Sequence, residues 1–210
     1  MGLTIYNNDI LPTDSAEYDL LIAAAREGAK VEGMGCEIGL RRGGGSRMIM
    51  DTFMQEGVFK THVMVDPWGD IEYLTTEKNQ VRLATDYTND MRAQCLTELF
   101  VYYRGKPVNP IVYNLEDVEF FKRFADGVPA YFEKGKKIET HYCMVHLDGP
   151  HDSTTVNVEV DFFAPRMLPG AMMVVDDVNL FDYKKSHDHI MASGFELAHM
   201  GVRKAVYRKI

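Results

Sequence analysis

Four short apolar runs in this chain lead into groups able to do polar chemistry. Thr61-His-Val-Met-Val runs into Asp66, Tyr142-Cys-Met-Val-His-Leu into Asp148, and Ala171-Met-Met-Val-Val into the pair Asp176 and Asp177. A fourth, Met34-Gly-Cys-Glu37-Ile, runs into the glycine stretch that holds Gly39, Gly43, Gly44 and Gly45 and ends at Ser46. Such runs read as strands buried on both faces, and in open parallel sheets ligands bind beyond the carboxyl ends of the strands. The acids and the glycine turn are therefore expected to meet in one crevice. Any one Asp after a strand can equally cap a helix or turn, so the convergence carries the argument and no single acid does.

The glycine stretch narrows the ligand. Glycines let the backbone turn tightly and approach a ligand closely, and the amides of the helix that follows can meet negative charge. A dinucleotide site would show Gly-x-Gly-x-x-Gly, whereas here the pattern is Glu37-x-Gly39-x-x-x-Gly43. An acid before the first glycine and a wider spacing suit a ligand without a pyrophosphate. S-adenosylmethionine is one: an acid attracts its ammonium and a second acid accepts its ribose hydroxyls.

These groups need a scaffold, and the periodicities supply one. Tyr18, Leu21, Ile22 and Ala25 recur at helical spacing, with Asp14 as cap, Glu17 three residues on, and Gly28 or Gly33 as the stop. A helix over Arg47 to Phe53 between two buried strands makes a βαβ unit, which favours a parallel sheet. Strand character returns at Ile111 to Tyr113, and Phe120, Phe121, Phe124 and Tyr131 give an aromatic helical pattern. Val156, Val160, Phe163 and Met167 keep a helical face until Leu168-Pro169-Gly170 stops it, and Phe195–Met200 with Arg203–Tyr207 reads as a closing hairpin. Between Pro67 and Pro107 a polar stretch precedes a helix near Met91 to Tyr103, and a connection this long suggests a lid-like insertion at about residues 70–105. At 210 residues the chain suffices for one core: an N-terminal helical segment over 1–33 and a ligand-binding domain over 34–210.

A formal charge of −8 argues against nucleic acid as partner, since phosphate binding needs a basic face. Only Arg41-Arg42 and the tail residues Arg203, Lys204, Arg208 and Lys209 offer anion contacts. No apolar run is long enough to cross a bilayer and the start lacks a secretory pattern, so no membrane is expected and the default address is cytoplasmic. Cys36, Cys95 and Cys143 form no CxxC and read as buried apolar residues.

In order and spacing, Glu37-Ile-Gly-Leu-Arg-Arg-Gly-Gly-Gly-Ser46, Val63-Met-Val-Asp66-Pro-Trp68, His146-Leu-Asp148-Gly-Pro-His151 and Leu168-Pro-Gly-Ala-Met-Met-Val-Val-Asp176-Asp177 resemble class I S-adenosylmethionine-dependent methyltransferases. The set is most similar to the metal-dependent small-molecule O-methyltransferases of the macrocin O-methyltransferase and cephalosporin-hydroxylase-like group, over roughly residues 34–208. That resemblance implies a Rossmann-like α/β fold with a mostly parallel seven-stranded sheet, helices on both faces and an antiparallel C-terminal hairpin. It implies that Glu37, Gly39 and the turn from Gly43 and Gly44 to Ser46 hold the methionine part of the cofactor. Asp66 would accept the ribose hydroxyls, Trp68 would pack on the adenine or anchor a loop, and Glu116 would touch the adenine edge. Asp148, Asp176 and Asp177 match ligands of Mg²⁺ or another divalent cation, and His151 stands where a general base works on the acceptor hydroxyl. Where relatives acting on sugars carry an acid two residues after the first metal ligand, this chain has Pro150. The expected partner is a small-molecule methyl acceptor, and a homo-oligomer is allowed. A nicotinamide-dependent oxidoreductase and a non-catalytic S-adenosylmethionine-binding protein remain as alternatives.

Overall fold

The computed structural model describes residues 15–69, 73–77, 80–84, 87–132, 135–179 and 182–210. Helix α1 (Tyr18–Gly28) precedes strand β1 (Met34–Ile38), and the glycine turn leads into α2 (Gly44–Gln55) and β2 (Thr61–Val65). A hairpin of β3 (Tyr73–Glu77) and β4 (Gln80–Ala84) follows, then α3 (Asn89–Tyr103), β5 (Asn109–Tyr113) and α4 (Asp117–Arg123). A second hairpin, β6 (Val128–Phe132) with β7 (Gly135–Glu139), comes before β8 (Tyr142–Leu147) and α5 (Ser153–Phe163). The chain closes with β9 (Met167–Val175), α6 (Tyr183–Ala192), β10 (Phe195–Met200) and β11 (Ala205–Lys209).

Seven of these strands form one sheet in the order β10-β11-β9-β8-β1-β2-β5. The strands from β9 to β5 pair in parallel, and β11 runs antiparallel to both β9 and β10. This is the expected architecture, and its connectivity fixes where a ligand can sit. The chain lays β1, β2 and β5 toward one edge and then returns to place β8 and β9 on the other side of β1, so a crevice opens between β1 and β8 at their carboxyl ends.

Alternate residues of the central strands supply two cores. Met34, Cys36 and Ile38 of β1 join Val145, Leu147, Met173 and Val175 on one face, under the aromatic rings of α4 and α5. The opposite face carries Met144, Met172 and Val174 beneath Leu21, Ala24 and Ala25 of α1 and Ile49 and Phe53 of α2, so the N-terminal helix shares the core of the domain. Helix α5 is rich in β-branched residues, which form helices poorly. It is held by tertiary packing, with Phe162 stacked 4.2 Å from Phe121, and by the Asp152 carboxylate accepting from the amides of Thr154 and Thr155. A third cluster joins Cys95, Leu99 and Tyr103 of α3 to Leu40, Met50 and Trp68. The helical part of the predicted insertion thus packs directly on the glycine turn.

Three details differ from the sequence reading. Helix α4 ends before Phe124, and Tyr131 stands exposed on β6, because Gly127 in a left-handed conformation (φ 112°) breaks the helix and starts a hairpin. Helix α5 stops at Phe163, just before Pro165, so Met167 and Leu168-Pro169-Gly170 belong to strand β9. Glu17 is the left-handed residue (φ 56°) just ahead of α1 and forms no cap there; Asp14, the expected cap, lies outside the described residues. Among the described residues no helix is long and apolar enough to cross a membrane.

Candidate active site at the carboxyl ends of the strands

Backbone bonds carry the parallel ladder one residue past the strands and bring the acids level with the turn. Gly39 N donates to Val65 O (2.9 Å), Asp148 N to Ile38 O (2.9 Å) and Asp176 N to Leu147 O (3.0 Å). The cleft above them is lined by Ser15, Gly39, Arg41, Tyr87, Asp148, His151, Asp176, Asp177 and Arg203. Gly39 must be glycine on two counts. Its φ is 82°, and a Cβ there would lie 2.1 Å from the Asp148 carbonyl oxygen, so any side chain would push β1 and β8 apart at the mouth of the cleft.

Beneath the turn lies a buried polar chain. Glu37 Oε2 accepts a short bond from the Ser46 hydroxyl, Glu37 Oε1 lies 2.7 Å from His146 Nδ1, and Ser46 Oγ lies 2.8 Å from His62 Nε2. Burial lowers the His62 pKa to about 4 and keeps that ring neutral. A Cβ on Gly45 would meet Glu37 Oε1 at 2.1 Å, so the carboxylate sits directly against the first turn of α2, where the helix dipole favours negative charge. Glu37 and Ser46 therefore brace the turn from below, and of Glu37, Gly39, Gly43, Gly44 and Ser46 only Gly39 lines the cleft.

Asp66 and Trp68 brace the same turn from the β2 side. Asp66 Oδ2 accepts from the amides of Leu40 (2.9 Å) and Arg41 (2.8 Å), and Oδ1 from that of Trp68 (2.9 Å). A carboxylate has about four acceptor positions, of which these amides use three, and Asp66 is buried and does not line the cleft. Burial raises the Asp66 pKa to about 6 against the opposing pull of these three amides. Trp68 is buried and donates from Nε1 to Arg41 O (2.9 Å), which makes it a clamp on the loop. Glu116 is exposed just ahead of α4 and does not line the cleft.

The three acids predicted to bind metal do meet in the cleft, and two of them already hold cations of the chain itself. Asp176 Oδ2 is 2.5 Å from the ammonium of Lys204, an ion pair with both side chains buried, and also accepts from Ser15 Oγ (2.5 Å). Asp177 Oδ1 accepts from Arg203 through Nε (2.8 Å) and through a second, shorter bond, while its Oδ2 is 3.7 Å from His151 Nε2. Burial would raise the pKa of Asp176, but Lys204 overcomes it and holds this carboxyl below the usual range. Burial and then the neighbouring Asp176 push Asp148 well above that range. Burial also lowers the pKa of His151 against the pull of Asp177, favouring the neutral ring that a general base needs. Among the described residues a different trio, Glu37, His146 and Asp148, brings metal-capable atoms within 4.8 Å of one another, but Glu37 in it is already bonded to Ser46 and His146.

Ser15, Tyr87, Lys204 and the role of Glu17 were not foreseen from the sequence. Arg203 and Lys204 showed there only as possible anion contacts. The Glu17 carboxylate accepts from the amides of Val202, Arg203 and Lys204, which fixes the β10–β11 turn and aims its two cations at the acids.

A sheet of this order with a glycine turn and acids at its switch point is the architecture of Rossmann-like methyltransferases, and solved structures share it. The calicheamicin methyltransferase CalS11, also described as a TDP-rhamnose 3'-O-methyltransferase, aligns over 90% of this chain and 77% of its own at 11% identity, with a TM-score of 0.60. The O-methyltransferase TomG of Streptomyces achromogenes, solved with S-adenosylmethionine, aligns over 95% and 82% at 13% identity and 0.58. A Bacillus cereus O-methyltransferase in complex with SAH aligns over 95% and 84% at 10% identity and 0.57. No curated protein matches the chain. The family described as a methyltransferase domain matches residues 36–178, and the chain belongs to that family.

Proposed function

We propose that this protein is a cytoplasmic S-adenosylmethionine-dependent O-methyltransferase acting on the hydroxyl of a small molecule. The observation that carries the reading is the meeting, in one switch-point cleft, of Gly39 at the start of the glycine turn with Asp148, His151 and Asp177. The three structural relatives support an oxygen acceptor, since each is described as an O-methyltransferase. S-adenosylmethionine would supply an electrophilic methyl carbon, to which the acceptor oxygen bonds in line as the carbon–sulfur bond breaks and S-adenosylhomocysteine leaves as a neutral thioether. The chain's residues do the remaining work. Gly39 and the amides of the turn leave room for the methionine part, and Asp66 keeps one acceptor position for a ribose hydroxyl. His151 takes the acceptor's proton, and Asp177, 3.7 Å from its Nε2, stabilises the imidazolium that forms.

The divalent cation implied by the resemblance does not fit this donor set. Asp176 and Asp177 are already paired with Lys204 and Arg203, which leaves a hard cation little uncompensated charge on these two acids. The proton transfer is therefore assigned to His151 without a metal.

Calorimetry with S-adenosylhomocysteine tests the cofactor reading. Micromolar binding is expected, with NADH ignored; a protein that binds NADH and ignores S-adenosylhomocysteine overturns it. Loss of methyl transfer in His151→Ala with cofactor binding intact then separates an enzyme from a binding protein.

A further inference from the structure

The charge that a metal would bring to the three acids is already present in the fold. Lys204 is completely buried, yet its ammonium is bonded to Asp176 Oδ2 (2.5 Å) and Ser15 Oγ (2.8 Å) and lies 5.1 Å from the ring centroid of Tyr18. A buried ammonium is tolerated only when paired and hydrogen-bonded, and this one is both. Its neighbour Arg203 bonds Asp177 through two guanidinium nitrogens. The turn that carries them is itself built for the task, since three consecutive amides from Val202 to Lys204 end on the Glu17 carboxylate. Two positive side chains thus pair with two of the three aspartates, Asp176 and Asp177.

A divalent cation held through Asp176 Oδ2 or Asp177 Oδ1 would have to displace Lys204 or Arg203 from that oxygen. It would then stand beside an ammonium with no water to screen the repulsion, because Lys204 has no exposed surface. We propose that Lys204, with Arg203, occupies the place of the divalent cation as a resident counter-charge, so that this cleft works without a divalent metal. Lys204 is buried and does not line the cleft, so it is a positioning residue, which holds Asp176 in place and frees His151 and Asp177 to handle the proton. The inference rests on the methyltransferase reading for its catalytic meaning, while the cation question stands on geometry alone.

Titration of the purified full chain with Mn²⁺, followed by calorimetry and by the electron spin resonance of the free ion, tests it directly. The wild-type protein is expected to show no saturable binding below millimolar Mn²⁺, and Lys204→Met to bind Mn²⁺ at least about tenfold more tightly than wild type. Should Lys204→Met fail to fold, Arg203→Gln takes its place, with a gain in the same direction. Stoichiometric Mn²⁺ binding by the wild type that disappears in Asp176→Asn overturns the proposal, as does a folded variant that gains no affinity. S-adenosylhomocysteine binding, measured alongside with and without chelator, keeps the two readings apart: its absence would sink the methyltransferase assignment and leave the cation result standing. Equal binding with and without chelator is expected.

Discussion

Asp66 shows how one buried carboxylate can hold a glycine turn together. Its three amide bonds pin the glycine turn, and under the proposed function its fourth acceptor position would take a ribose hydroxyl. Asp66→Ala should weaken S-adenosylhomocysteine at least tenfold, roughly 1.4 kcal/mol, by calorimetry; unchanged affinity would remove Asp66 from the site. Its pKa of about 6 adds a sign that can be checked. A hydroxyl donates best to the ionised form, so affinity should fall as the pH drops through about 6, and Asp66→Asn should flatten that dependence. An affinity that rises toward acid would contradict the assignment. Trp68 teaches the complementary lesson. The sequence left it between adenine platform and loop anchor, and the structure shows its bond to Arg41 O.

Among the elements, the β10–β11 turn decides the most about the site while sitting farthest from it in sequence. Glu17 reaches it from the segment ahead of α1, across more than 180 residues, and three amides converge on its carboxylate. Glu17→Ala should therefore lower stability by about 1–2 kcal/mol, read as a drop of several degrees in thermal midpoint, with Glu17→Gln milder because an amide oxygen still accepts. A midpoint unchanged in both would mean that the turn holds itself. The helix of the predicted insertion also packs on the site's framework, since α3 sets Leu99 and Cys95 within 3.1 Å of where a Cβ on Gly43 would stand and so closes the outer side of the glycine turn.

For the molecule as a whole, the resistance of the fold to pH exposes a cost hidden in one core. Glu159 of α5 is fully buried with neither carboxyl oxygen bonded, and burial pushes its pKa well above the ordinary 4.5. A carboxyl whose folded pKa is raised contributes stability below its unfolded pKa, and that contribution is lost as the pH climbs above it. Glu159→Gln should therefore gain stability relative to wild type at about pH 8 and show little gain at about pH 4, measured by chemical denaturation. An equal gain at both would point to a partner for the ionised acid. The same whole-molecule view separates what was legible in the sequence from what was not. The buried strands, the glycine turn and the acids at Asp66, Asp148, Asp176 and Asp177 could be read directly, because unbroken apolar runs and the residues that end them are local signals, and the parallel order followed from the βαβ pattern. The β6–β7 hairpin and the entry of Leu168-Pro169-Gly170 into β9 escaped, since Pro and Gly mark breaks locally and only the neighbouring strands show which element continues. What only the tertiary structure decided is how the acids are neutralised. Charge balance in a buried cluster depends on which side chains arrive from distant parts of the chain, and nothing in the local pattern of Arg203-Lys204 says that the sheet will close it onto Asp176 and Asp177.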